Sequence, residues 1–259
     1  MTNGSNGWTR RQFAGAAGLS VTALTLRGLR AGAWQGRGRS ARLTARPKSN
    51  VTTSLVSGPL GLGDRDGRDG VIQMPSSGAS SKPLPMLLFL HGATQNGAGM
   101  LRRMGPAADA HGIVIVAPDS RAITWDAIRG DFGVDVEFLD RVLAHVFARV
   151  AIDPARLTIG GFSDGASYGL SLGLANGDLF PKVMACSPGF IVQAPAQGKP
   201  AMFFSHGTSD QILPIDQCSR VIVPRLRSLG YTVTFREFQG RHEIPADIAE
   251  EACRWMTGA

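Results

Sequence analysis

Thr158 to Tyr168 reads TIGGFSDGASY: an apolar run enters Gly161-Phe162-Ser163-Asp164-Gly165, and a small-residue helical pattern follows. Gly-x-Ser-x-Gly between a strand and a helix lifts a serine hydroxyl to the apex of a tight turn, where it can act as a nucleophile. Glycine on both sides lets two backbones meet where a Cβ would clash. The helix that follows turns its N-terminus toward the serine, and its dipole favours negative charge forming there. A hydroxyl attacks only when a base takes its proton, and that base needs an acid to orient it. Asp210 lies just past the apolar run Ala201–Ser205, and His242 just past the alternating run Tyr231–Phe238. Catalytic groups of open parallel sheets sit at the carboxyl ends of strands. Residue type, chain order and strand-end position therefore agree for Ser163, Asp210 and His242.

Each member has rivals. His206 ends a strand and competes as the base, but it precedes the acid and leaves His242 without a role. Asp216 and Glu237 compete as the acid; Asp216 fits a helix N-cap, and Glu237 falls inside a strand. The oxyanion of an acyl-transfer intermediate needs N–H donors. The N–H of Asp164, next to the nucleophile, and that of Ala93, in the loop after Leu90-His91-Gly92, are the candidates.

These groups need a sheet to position them, and the chain supplies one. Val51–Leu60 and Val71–Met74 read as an opening β-hairpin around the turn cluster GLGDRDGRDG. Met86–Leu90 and Ile113–Ala117 are continuously apolar, as strands buried on both faces are. Arg156–Gly160, Val183–Cys186, Ala201–Ser205 and Tyr231–Phe238 continue the series. Helical patterns cover Ala98–Ala110, Asp135–Arg149 with Asp135 as cap, Ser163–Ala175, Asp216–Leu229 and Ile244–Met256. Strands alternating with helices predict a mostly parallel sheet with helices on both faces. Asp119–Gly133 is irregular and long for a connection, which marks a functional loop. Within it Trp125 and Phe132 are the candidates for an apolar wall of the substrate site, with plain core packing an equal reading for Trp125. Only Ser187–Lys199 separates two strands where a lid could be inserted, too short for a large cap domain.

At 259 residues, with 43% hydrophobic and 18% charged, the chain holds one sizeable core. Its net charge of +7 is unevenly placed: residues 1–50 carry nine Lys/Arg and no acid, leaving 18 basic against 20 acidic groups in residues 51–259. The globular part thus offers no electrostatic reason to bind nucleic acid. In the tail, Thr9-Arg10-Arg11-Gln12-Phe13 precedes a mildly apolar run to Leu26 and the small-residue site Ala31-Gly32-Ala33. That order describes an export signal of twin-arginine type over residues 1–33, with a basic linker over 34–50 and one catalytic domain over 51–259. Arg27 and Arg30 end the apolar run short of the ~20 residues that a membrane span needs. Cys186, Cys218 and Cys253 form no C-x-x-C or Cys/His group, so a zinc site is unsupported. A Cys218–Cys253 bridge is possible in an exported protein, though buried unreactive thiols fit better.

LHGATQNG at 90–97, GFSDGASY at 161–168, SHGTSDQILP at 205–214 and GRHEIP at 240–245 resemble the α/β-hydrolase superfamily. Within it they look like the bacterial phospholipase/carboxylesterase group and the polyhydroxybutyrate-depolymerase and feruloyl-esterase-like enzymes. The similarity spans about Gly67 to Met256. It implies an α/β-hydrolase fold, a Ser163/Asp210/His242 triad, no metal or organic cofactor, and ester hydrolysis through an acyl-enzyme. The substrate would be a small-molecule ester or an ester-linked polymer. Asp164 departs from the uncharged residue common there in the carboxylesterase branch, which bears on substrate preference. The reading from a different class is a noncatalytic binding protein on a hydrolase scaffold.

Overall fold

The computed structural model describes residues 40–64, 67–77 and 82–258, so the expected export signal lies outside the described residues. Eight strands form one sheet: β1 Gly58–Pro59, β2 Gly70–Gln73, β3 Leu84–Leu90, β4 Val114–Pro118, β5 Ile152–Phe162, β6 Lys182–Cys186, β7 Ala201–Gly207 and β8 Val233–Phe238. Their order across the sheet is β1-β2-β4-β3-β5-β6-β7-β8. β1 and β2 are antiparallel, and β3 through β8 run parallel. The helices are α1 Gly97–Ala110, α2 Asp126–Arg129, α3 Val134–Phe147, α4 Asp164–Ala175, α5 Ser219–Ser228 and α6 Ala246–Thr257.

Period-two alternation within the central strands divides the core between the sheet's two faces. Met86, Leu88 and Leu90 of β3 pack with α3, α4 and α5, whereas Leu87 and Phe89 pack with α1 and α6. β4 divides in the same way, Val114 and Val116 against Ile115 and Ala117. Both faces are therefore covered, which explains why β3 and β4 are buried at every position. No separate cap domain interrupts the described residues. The chain winds outward from β3 to β4, then returns to β5 on β3's other side. This reversal brings the ends of β3 and β5 side by side, with Leu90 paired to Gly161. Crevices at such switch points hold the ligands of open sheets.

The structure moves several expected boundaries. The first hairpin strand shrinks to Gly58–Pro59, because Gly58 adopts φ 155° and Pro59 has no N–H for a ladder. Asp135 is not the cap of α3. Gly133 takes that place, and the buried Asp135 carboxylate instead receives the N–H groups of Arg121 and Asp126. Asp216 does not cap α5, which starts three residues later; its carboxylate pairs with Arg220 at 2.8 Å. The three cysteines are buried and unbridged.

Residues 40–46, assigned to the linker by composition, are docked on the domain. Leu43 is buried, and its N–H donates to Asn176 Oδ1 at 2.8 Å. Asn176 Nδ2 returns a bond to the Ala41 carbonyl at 2.8 Å and another to Leu172 at 2.9 Å. Asp140 receives the Thr44 and Ala45 N–H groups, and Arg42 meets Asp178 through both nitrogens at 2.7 Å. Arg/Gly-rich composition hides this, because the partners lie over 90 residues away. Asn176→Ala leaves a buried donor and a buried acceptor unpaired. It should cost about 3 kcal/mol and open residues 40–46 to proteolysis; an unchanged denaturation midpoint would contradict this account of the strap.

Candidate active site

Ser163 sits between β5 and α4 with φ 58° and ψ −121°, a backbone region that L-residues rarely occupy. Such a conformation costs about 1–3 kcal/mol and persists only where surroundings enforce it. Here the Ser163 N–H donates to the Cys186 carbonyl of β6 at 3.0 Å, and its own carbonyl accepts from Ala166 and Ser167. The flanking glycines are needed sterically. A Cβ at Gly161 would lie 2.7 Å from the Leu90 carbonyl oxygen, and one at Gly165 would lie 2.5 Å from that of His91. The turn is thus wedged against the end of β3. Thr94 and Ser187 also have positive φ, so with Ser163 three of the four such non-glycine residues among the described residues lie at or beside this turn.

The structure brings Asp210 and His242, the expected acid and base, into contact. His242 Nδ1 lies 2.6 Å from Asp210 Oδ2. The His242 ring packs 4.7 Å from that of Phe162, the residue immediately before Ser163, and the Arg103 guanidinium covers Phe162 at 4.8 Å. Asp210 is buried, with Oδ1 receiving the Ile212 and Leu213 N–H groups at 2.9 Å each. Burial pushes its proton affinity up, but His242 and the two N–H donors outweigh it, and the carboxyl is held below its usual range. The rival acids are elsewhere engaged: Arg220 binds both Asp216 and Glu237.

The loop after β3 is held from behind by His91. Its Nε2 accepts the Ser120 N–H at 2.9 Å, so the proton is on Nδ1, which donates to the Gly92 carbonyl at 2.7 Å. Burial, foremost, lowers the His91 pKa and keeps the ring neutral. Arg68 Nη2 also faces Nε2 at 3.4 Å, a cation beside the acceptor nitrogen. Because a peptide unit is planar, fixing the Gly92 carbonyl fixes the opposed Ala93 N–H. Gly92 approaches Ser163 so closely that a Cβ there would be 3.1 Å from the serine Cβ. The Asp164 N–H, in the first turn of α4, has no intrahelical acceptor. The two expected donor residues therefore border one serine.

Trp125 and Phe132 require correction. Trp125 is fully buried and Phe132 only 7% exposed, so neither forms an open wall of the site. Trp125 Nε1 donates to the His91 carbonyl at 2.8 Å, its ring stacks on Tyr168 at 5.2 Å, and Phe132 packs against Tyr168 at 5.6 Å. They form the core support of the loop. Beneath them Asp126 and Asp135 exchange backbone N–H bonds, and Tyr168 donates its hydroxyl to Asp126 at 2.9 Å. Burial pushes Asp135 up to about 6.

Several contributors carry no local sequence signal. Thr124 donates its hydroxyl to Asp164 Oδ2 at 2.7 Å, so the charged residue of the elbow ties down the 121–125 loop. The Ile123 carbonyl in turn accepts the Thr94 N–H at 2.8 Å. On the other side, Ser167 and Ser171, spaced four apart after Ser163, accept the N–H groups of Gly189 and Val192 at 2.9 Å. That i, i+4 serine row is the one trace visible in sequence. These loops expose three large apolar side chains, Ile123 at 61%, Phe190 at 44% and Ile212 at 69%. Among the described residues no group of three His, Cys, Asp or Glu could hold a metal ion.

Comparison with known proteins agrees with this architecture. The phospholipase/carboxylesterase family matches residues 135–256. Feruloyl esterase C of Emericella nidulans is 29% identical over 164 residues, covering 60% of each chain; the protein thus spans about three fifths of that relative. Among solved structures, esterase PE8 superposes with a TM-score of 0.59 at 23% identity, covering 73% of this chain and 97% of its own. A ferulic acid esterase of Anaeromyces mucronatus, solved with ferulic acid, superposes at 0.61 with 17% identity, covering 81% and 93%. The eight-stranded sheet, the elbow at its switch point and these likenesses show the α/β-hydrolase fold, and residues 135–256 are similar to the phospholipase/carboxylesterase family.

Proposed function

We propose that the protein hydrolyses carboxylic esters through an acyl-enzyme on Ser163. The observation that carries this reading is the 2.6 Å bond between Asp210 and His242, whose ring rests on the residue before a serine held at positive φ. Ser163 Oγ attacks the ester carbonyl while His242 Nε2 takes its proton and Nδ1–H stays on Asp210. The resulting oxyanion receives the N–H groups of Ala93 and Asp164, each worth about 3 kcal/mol in the transition state. Collapse breaks the acyl–oxygen bond, and His242 returns the proton to the leaving alcohol. Water then repeats the sequence on the acyl-serine, releasing the acid and free Ser163. This scheme needs no metal or organic cofactor.

A second, narrower reading is favoured by the exposed Ile123, Phe190 and Ile212 and by the feruloyl esterase relatives: an aromatic or polymer-linked acyl ester as substrate. Soluble nitrophenyl esters, a methyl ferulate and a polyhydroxybutyrate film, assayed side by side, separate the readings. Ester hydrolysis should fall roughly 10⁴–10⁶-fold in Ser163→Ala, and turnover should peak at short or aromatic acyl groups. A nitrophenyl series peaking beyond roughly twelve carbons, as a deep lipid-binding tunnel would produce, contradicts the preference for short or aromatic acyl groups.

Export follows from the sequence pattern of residues 1–33, and the protein is read as periplasmic or extracellular. Among the described residues no helix is long and apolar enough to cross a membrane. Mass spectrometry of the extracellular protein should find a start near residue 34; an intact Met1 there would contradict cleavage.

A further inference from the structure

His206 is a fully buried imidazole that the reaction above does not use, yet it touches the acid. It lies near the end of β7, four residues before Asp210. Its Nε2 is 2.8 Å from the Leu213 carbonyl oxygen, which can only accept, so Nε2 carries a proton. The same N–H faces Asp210 Oδ2 at 3.2 Å. On the other side Nδ1 lies 2.7 Å from Ser219 Oγ and accepts its hydroxyl proton when the ring is neutral.

These bonds close a loop around the acid. Leu213 gives its N–H to Asp210 Oδ1 and receives His206 at its carbonyl, while His206 reaches back to Asp210 Oδ2. The carboxylate thus has Ile212 and Leu213 on one oxygen, and His242 and His206 on the other. Without His206, only His242 would hold Oδ2, and the 210–213 turn would keep the Asp210 N–H bond to the Gly207 carbonyl of β7 but lose its tie at Leu213. We propose that His206 is a positioning residue of the hydrolytic site: its Nε2–H, shared by Leu213 and Asp210, fixes the turn and aims the carboxylate at His242. The inference rests on the acid–base reading of Asp210 and His242.

The ring's charge state agrees with this geometry. Burial, the largest influence, lowers its pKa against the opposing pull of Leu213 and Asp210. The other titratable groups facing it are His242 and Glu237, the latter paired with His206 across β7 and β8 and already bound by Arg220. Cys218 lies near Asp210, and burial first and Asp210 second raise its pKa, so it stays a thiol. A neutral His206 donates to the acid without adding a second cation beside His242.

Two substitutions separate positioning from packing. His206→Leu fills the space without a donor, whereas the amide nitrogen of His206→Gln can stand where Nε2 stands. In His206→Leu, kcat for a nitrophenyl ester should fall roughly 10–100-fold, the usual effect of losing a partner that orients a functional group, with KM within about twofold. His206→Gln should restore kcat. In the unmodified protein, nitrogen-15 NMR should find the His206 proton on Nε2 and none on Nδ1 at neutral pH. A ring protonated at both nitrogens near neutrality overturns the inference without any variant. Equal loss in both variants, or full turnover in His206→Leu, overturns it while an inactive Asp210→Asn leaves the acid–base reading standing. Full activity of Asp210→Asn removes the reading and the inference together.

Discussion

The site depends on one steric contact, the approach of the β5–α4 turn to the end of β3. Gly161 and Gly165 have no side chain, so the turn presses against the carbonyl oxygens of Leu90 and His91. The same contact holds Ser163 at positive φ and sets the Gly92–Ala93 peptide beside it. The proposed nucleophile and oxyanion donors are therefore positioned by a single packing event rather than separately. The strain at Ser163, about 1–3 kcal/mol, is sustained because β5 and α4 are buried from Leu157 to Ala175, Asp164 apart.

Around that contact, histidines divide the labour by burial. His91 and His206 are wholly buried, and their low proton affinity keeps each neutral with one defined N–H. One N–H fixes a peptide at the oxyanion side, the other is directed at the carboxylate. His242 has a partly accessible side chain, its Nδ1 taken by Asp210 and its ring on Phe162. A base that must exchange protons needs access to the reacting atoms, whereas a residue that orients a neighbour works best when dry and uncharged. The chemistry of the imidazole is the same in all three; the depth of burial assigns the task.

How much of this is legible in the sequence follows from the range of each interaction. The elbow, the strands and the order Ser163, Asp210, His242 are visible because local periodicity and strand ends encode them. The support of the 119–135 loop is not visible, because it combines side-chain to backbone bonds across the loop, between Asp126 and Asp135, with bonds to Tyr168 and Asp164 about forty residues away. Trp125 reads equally as a pocket wall or as core, and only its bond to the His91 carbonyl decides. Asp135 looks like a cap because it precedes an apolar period; in the fold the loop, not the helix, claims its carboxylate. His206 has the sequence position of a competing base, and three-dimensional contact gives it another role. Residues 40–46 read as linker by composition, although Asn176 binds them on the domain.

The central claim is that backbone strain and a buried acid–base pair make Ser163, and no other serine, reactive. The most direct measurement is mass-spectrometric peptide mapping after the native protein is exposed to a fluorophosphonate probe. The account predicts a single phosphonyl adduct on the peptide carrying Ser163, lost when the protein is unfolded before exposure. An adduct on another residue, or none while the untreated protein still turns over esters, would contradict it.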